Sequence, residues 1–179
     1  ANQSNAAEPR GVRRPPTADR TAPEPLHSTA EAAQKAKHQL AAALVAATEA
    51  GDITDVETLL NGAVPWLRNA SGDPPLIFAA DGGQADAVAT LLEAGAPVDQ
   101  VGTDGNTGLI CAAFRCFPSV IAKLLAAGAD PNRRGNDGDT ALMFACAAGH
   151  DDIVALLLDA GADTTLTDRL GRTAGSLAA

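Results

Sequence analysis

The side chains in this sequence best equipped for chemistry are its histidines, cysteines and carboxylates. The histidines, His27, His38 and His150, are far apart in the chain. No serine or cysteine stands in a recognisable nucleophile elbow for a histidine to activate. The three cysteines, Cys111, Cys116 and Cys146, have no metal-ligand spacing, and an odd number cannot all pair within one chain. A bridge between Cys116 and Cys146 requires Cα atoms within about 7 Å, and free thiols are the expectation. The adjacent carboxylates Asp151 and Asp152 open a helix, where negative charge suits the dipole. Asp130-Pro-Asn-Arg-Arg-Gly-Asn-Asp-Gly-Asp139 is rich in oxygen ligands, but it lacks the spacing and closing glutamate of a calcium loop. Gly102-x-x-Gly105-x-x-Gly108 follows no strand, so its glycines serve turns and do not cradle a phosphate. The expectation is a non-enzyme with no catalytic residues, no metal and no cofactor.

The elements carrying these residues repeat. Gly-Ala occurs at Gly62-Ala63, Gly95-Ala96, Gly128-Ala129 and Gly161-Ala162, each 33 residues after the last. Gly72, Gly105, Gly138 and Gly171 keep the same step, as do Thr107, Thr140 and Thr173, and Leu76, Leu109 and Leu142. A fixed period of this length marks a stack of supersecondary units. Within the fourth unit, Thr140–Ala148 reads as one helix stopped by Gly149, where a left-handed residue is wanted. A second helix from about Asp151 to Ala160 places Ile153, Val154, Leu157 and Leu158 on one face. Val88, Leu91 and Leu92 repeat that face in the second unit, and Val120, Ile121, Leu124 and Leu125 in the third. Asp104-Gly105 and Asp137-Gly138 supply turns at projecting tips. Alanine and leucine dominate the apolar residues, Tyr is absent, and the aromatics are Trp66, Phe78, Phe114, Phe117 and Phe144. The fold class is all-α, a solenoid of helix-turn-helix units.

Charge narrows the partners. Residues 1–39 carry six Lys/Arg and four Asp/Glu, whereas residues 40–179 carry seven and eighteen. An acidic folded region disfavours nucleic acid and anionic membranes and attracts a cationic partner. Every apolar run is broken well short of the about 18 residues a membrane span requires.

The 33-residue step, the D-x-x-G-x-T-x-L start and the L-L-x-x-G-A end resemble the ankyrin repeat over about residues 40–179. The family's Thr-Pro-Leu-His becomes Pro74-Pro-Leu-Ile77, Thr107-Gly-Leu-Ile110 and Thr140-Ala-Leu-Met143, so the histidine that ties the turn is an aliphatic each time. Cys116 stands where Gly83 and Gly149 stand in their units. The units fall at about 28–68, 69–101, 102–134 and 135–167, with a C-terminal cap at 168–179. In the first, Leu44, Val56 and Leu59 match later units after a one-residue deletion, and terminal repeats are commonly atypical.

The resemblance implies binding of another protein through turn tips and the concave face of the first helices. Carried across by position, that surface comprises Arg68, Asp73, Asp81, Thr103, Asp104, Asn106, Phe114, Arg115, Asn136, Asp137, Asp139 and Arg169. Leu109, Cys111 and Ala112 fill the core side of their helix, so Phe114 and Arg115 face the groove, an aromatic beside an arginine. Cys111 aligns with Phe78 and Phe144 at core positions, and Phe117 packs against Pro118. Trp66, at a position the family gives to Asn or Asp, either covers the N-terminal cap or stands exposed for a partner.

Residues 1–27, rich in Ala, Pro and Arg, are expected to be a disordered tail. Ser28 and Glu31 have the spacing of a capping box, and a helix from near Thr29 is expected to run into the first unit. A start at Ala1 leaves a cleaved leader and a trimmed chain open, with export to the periplasm or outside favoured over the cytoplasm. The expected function is a module, monomeric on its own, that grips a partner with a basic surface through an acidic concave face. An inhibitor or immunity role is one form of it. The alternatives are a scaffold or accessory subunit of an enzyme complex and a secreted effector, all of bacterial type.

Overall fold

Each 33-residue unit folds as two short paired helices because an apolar stripe is twice interrupted by turn residues. The structure, a computed structural model, describes residues 26–60 and 67–178, with side chains from residue 33 onward apart from Ile53. Residues 1–25, Gly62-Ala63 and Trp66 therefore lie outside the described residues. The helices are α1 (Leu26–Ala50), α2 (Ile53–Leu60), α3 (Pro75–Asp81), α4 (Ala85–Glu93), α5 (Gly108–Phe114), α6 (Pro118–Ala126), α7 (Ala141–Ala148), α8 (Asp151–Asp159) and α9 (Ala174–Leu177). None of them is long and apolar enough to cross a membrane.

The threonine series supplies the helix starts. Thr107, Thr140 and Thr173 sit at N-caps, where each hydroxyl accepts the N–H three residues on, Ile110 at 3.3 Å, Met143 at 3.4 Å and Ser176 at 3.3 Å. In α3, Pro75 takes the first turn instead, where a missing N–H costs nothing. Gly149 ends α7 in the left-handed region with φ 71°. Cys116 occupies the equivalent place with φ 62°, the one non-glycine with positive φ among the described residues. A Cβ there costs about 1–2 kcal/mol that glycine avoids.

First helices stack on first helices, α1 on α3, α3 on α5, α5 on α7 and α7 on α9, while α2, α4, α6 and α8 form a second row behind them. Leu44, Leu76, Leu109 and Leu142 are buried between the rows, and Ala79, Ala112 and Ala145 have no exposed surface. Small side chains let neighbouring helices approach. Leu124, fully buried on α6, reaches within 3.7 Å of where a side chain on Gly108 would begin. Ile77, Ile110 and Met143, in the place of the family's turn histidine, are buried, so apolar contact replaces that hydrogen bond.

Two arginines tie the turn tips together. Arg68 Nη1 donates to the carbonyls of Gly72 (2.6 Å) and Val101 (2.9 Å), within its own tip and in the next. Two repeats on, Arg134 does the same, donating to Gly138 (3.1 Å) and to the Thr167 carbonyl. Single antiparallel bridges, Val101 with Thr107 and Thr167 with Thr173, close two of the tips.

Two sequence expectations change. Helix α1 begins at Leu26, taking in the two residues Leu26 and His27 that composition assigns to the tail, and Ser28 lies within the helix and not ahead of it. The run of helix-forming residues after it extends the helix past that cap. Phe117 in addition packs across units onto Gly83, where a Cβ would come within 2.7 Å of its ring. Phe78 and Phe144 are half-buried, because their helix face borders the concave surface; Cys111 alone of the three is buried.

Candidate partner-binding groove

The first helices α3, α5 and α7 and the tips ahead of α3 and α5 enclose a groove of about 460 Å³. It is lined by Asp73, Ile77, Phe78, Asp81, Thr103, Asp104, Asn106, Ile110, Cys111, Phe114, Arg115 and Phe144. The apolar side chains arrive by the helical period. Ile77, Ile110 and Cys111 are at most 8% exposed and form the floor. Phe114, at the C-terminal turn of α5, is 61% exposed, one of four exposed large hydrophobics among the described residues. Its ring meets Phe144 of the next unit edge-on, with centroids 5.4 Å apart, so one aromatic wall joins two repeats.

The polar residues come from tips and helix ends. Asp73 Oδ1 accepts the Thr103 N–H (2.6 Å) and hydroxyl (2.9 Å), linking second and third units. Asp104 accepts from the Asn106 N–H (3.0 Å) and side-chain amide (2.8 Å), which shapes its own turn. Arg115 does not stand as an unpaired cation. Its Nε and Nη2 donate to both oxygens of Asp81, at 2.9 and 3.0 Å, and its guanidinium lies 5.9 Å from the Phe114 centroid. Both partners of that pair are substantially exposed, so the contact sets geometry more than stability. Its spacing of 34 residues, one repeat plus one, is the signal that could have found it.

The groove thus brings together Asp73, Asp81, Thr103, Asp104, Asn106, Phe114 and Arg115 of the residues the sequence singles out. It does not include Arg68, Asn136, Asp137, Asp139 or Arg169. Arg68 is engaged with two carbonyls, and Asp137 pairs with Arg169 at 3.3 Å on the later tips. Asn136 leans over Gly105, whose backbone its side-chain amide covers, and the Asp139 carbonyl accepts from Gly135 N–H. Ile77, Phe78 and Phe144 line the groove though sequence reasoning left them out of the binding surface.

Reactivity is low here. Burial pushes the Cys111 thiol up to about 12, with the nearby Asp104 and Asp81 charges adding to it, so it stays protonated and weakly nucleophilic. Burial also raises the half-buried Cys146 thiol, and all three cysteines are free. Asp130 and Asn132, in the oxygen-rich loop, accept backbone N–H groups of Asn132 (2.9 Å) and Asp163 (2.7 Å), which is turn chemistry.

A family model described as ankyrin repeats in three copies matches residues 43–135, and a second ankyrin model, in many copies, matches residues 124–178. Comparison with curated proteins gives no match. Units stacked in this register, with capped first helices facing a tip-lined groove, agree with those models, and the chain belongs to the ankyrin-repeat family.

Proposed function

We propose that the groove between the second and fourth units binds a partner protein through a basic, partly apolar patch. The ankyrin repeat is a general protein-interaction module, and a stacked solenoid offers a preformed surface, so little ordering entropy is lost on docking. The observation that carries the reading is Phe114, 61% exposed beside the groove carboxylates Asp73, Asp81 and Asp104. An exposed aromatic in a concave surface supplies contact energy, and the carboxylates supply steering and charge matching. The later tips, with Asn136, Asp137, Asp139 and Arg169, extend this surface along the stack.

Within that reading the protein acts as an inhibitor or immunity protein, covering a basic functional surface of its partner. The alternative of a scaffold or accessory subunit is separated by an activity assay on the complex. Affinity capture from the source cell with the intact chain, beside Phe114→Ala/Asp104→Lys, identifies the partner. Capture by the wild type alone supports the groove, and loss of the captured protein's activity in the complex supports inhibition. Equal capture by both proteins refutes the groove assignment. Arg115→Glu is unsuited to this test, since it sets a second carboxylate against Asp81.

A further inference from the structure

We propose that in the free protein the groove is occupied by the chain's own segment Pro9–Pro16, which a partner must displace. The inference rests on the protein-binding reading and names how that same site is regulated.

Charge picks out the segment. All seven Lys/Arg of residues 40–179 are committed to an aspartate or to backbone carbonyls, while the same stretch carries eighteen Asp/Glu. The stack has no spare cation to set against its own groove. The remaining cations are Lys35 and Lys37, fixed on α1, and Arg10, Arg13, Arg14 and Arg20 ahead of it. Three of those arginines fall in the run Pro-Arg-Gly-Val-Arg-Arg-Pro-Pro, residues 9–16, which has no Asp or Glu. Opposite net charge on two parts of one chain draws them together, most strongly at low salt.

The lining of the groove suits the same residues. Phe114, 61% exposed, meets Phe144 edge-on, and Phe78 lines the groove with them. Proline-rich segments dock on aromatic-lined grooves because their extended form is already set and little entropy is lost. Arginine adds to this by stacking on aromatic faces, as Arg115 already does 5.9 Å from the Phe114 centroid. Val12, Pro15 and Pro16 supply apolar contact for the rings, and the arginines between them supply the charge.

The segment is long enough to arrive. Leu44 of α1 matches Leu76 of α3 in the core, which sets Ala43 level with Pro75, the first residue of α3. Leu26, where α1 starts, precedes Ala43 by seventeen residues and lies about 26 Å beyond that level. Phe114 lies about 9 Å past the corresponding start of α5, and α5 is two helix spacings, about 20 Å, from α1. The groove is thus about 40 Å from Leu26, whereas the sixteen residues back to Arg10 extend to about 53 Å. Tethering raises the local concentration of the segment to about the millimolar range, so contacts too weak to hold a free peptide fill the groove in cis.

The test compares NMR spectra, backbone amides and aromatic side chains, of the full chain and of Arg10→Gln/Arg13→Gln/Arg14→Gln, which alters no residue of the stack. The expected result is differences concentrated at Asp81, Ile110, Phe114 and Phe144 that shrink as salt rises and persist on tenfold dilution. In a Phe114→Ala background those differences should disappear. A synthetic peptide of residues 8–17 should move the same resonances in the variant, and at least about tenfold less at equal concentration in the wild type, where the groove is filled. Identical spectra for the two proteins, or differences confined to α1 or spread over acidic tips such as Asp130 and Asp163, would overturn the proposal. Differences lost on dilution would overturn it too, placing the segment in the groove of a second copy. The parent reading fails separately. If the spectra are identical but Phe114→Ala/Asp104→Lys loses the partner, the segment is refuted and the partner groove stands. If the segment docks but the partner is captured equally by wild type and Phe114→Ala/Asp104→Lys, the partner groove is refuted.

Discussion

The tip at Gly102 and the tip at Asp168 are built on the same frame and use their carboxylates in different ways. At the C-terminal cap, Asp168 is enclosed by its own turn, accepting two backbone N–H groups and the Arg172 guanidinium at 2.6 Å. At the centre, Asp73 accepts the Thr103 N–H and hydroxyl and Asp104 the Asn106 N–H and side-chain amide, and among the described residues neither pairs with a cation. The cap's acid is buried in its turn, whereas the central acids hold theirs while lining the groove.

That contrast assumes a common core beneath both tips. Leu124 and Leu157, one repeat apart and both fully buried, test it with the largest expected effect. Replacing either with alanine should cost about 2–5 kcal/mol by urea unfolding, through a cavity of similar kind. If only one of them costs this much, the two regions differ in packing and not just in surface chemistry.

At the tips themselves, Asp168→Ala should lower the denaturation midpoint clearly while Asp104→Asn leaves it near wild type. Burial pulls the Asp168 carboxyl up, but hydrogen bonds from the Arg172 N–H and guanidinium and from Leu170 outweigh it and hold it below the usual value. A carboxyl held low when folded favours folding above its ordinary pKa, and that contribution is lost as pH falls through the folded value. Acid unfolding curves should therefore flatten in Asp168→Asn. An unchanged acid limb would remove the distinction between the two tips.

A smaller effect is expected just past the end of α5. Cys116→Gly relieves a Cβ in the left-handed region and should stabilise the fold by about 1 kcal/mol in chemical denaturation. The smallest concerns reactivity. With iodoacetamide under native conditions, Cys111 should alkylate more slowly than Cys116, because its thiol is buried and pushed up to about 12. The sign for stability follows. A thiol held protonated when folded contributes below its ordinary pKa and loses that contribution as pH rises toward the folded value.

Much of the frame was legible in the sequence because its causes are local. Thr107, Thr140 and Thr173 cap the helices they precede, and Gly149 stops one because its neighbours leave only a left-handed turn. Phe114 was legible as a groove residue because helical spacing had already used the core side of α5. The Asp81–Arg115 pair and the Asp73–Thr103 link were not. They join residues 30 to 34 positions apart, and depend on how one unit is offset against the next. Spacing within a unit does not contain that offset.

The central claim is that the groove around Phe114 grips a protein. Its most direct measurement is the affinity of the captured partner for the wild type and for Phe114→Ala/Asp104→Lys, at low and at physiological salt. The account predicts that the variant, folded by circular dichroism, binds at least about tenfold more weakly, and that salt weakens the wild type more than the variant. Wild-type affinity in the variant would contradict it and move the binding surface elsewhere on the stack.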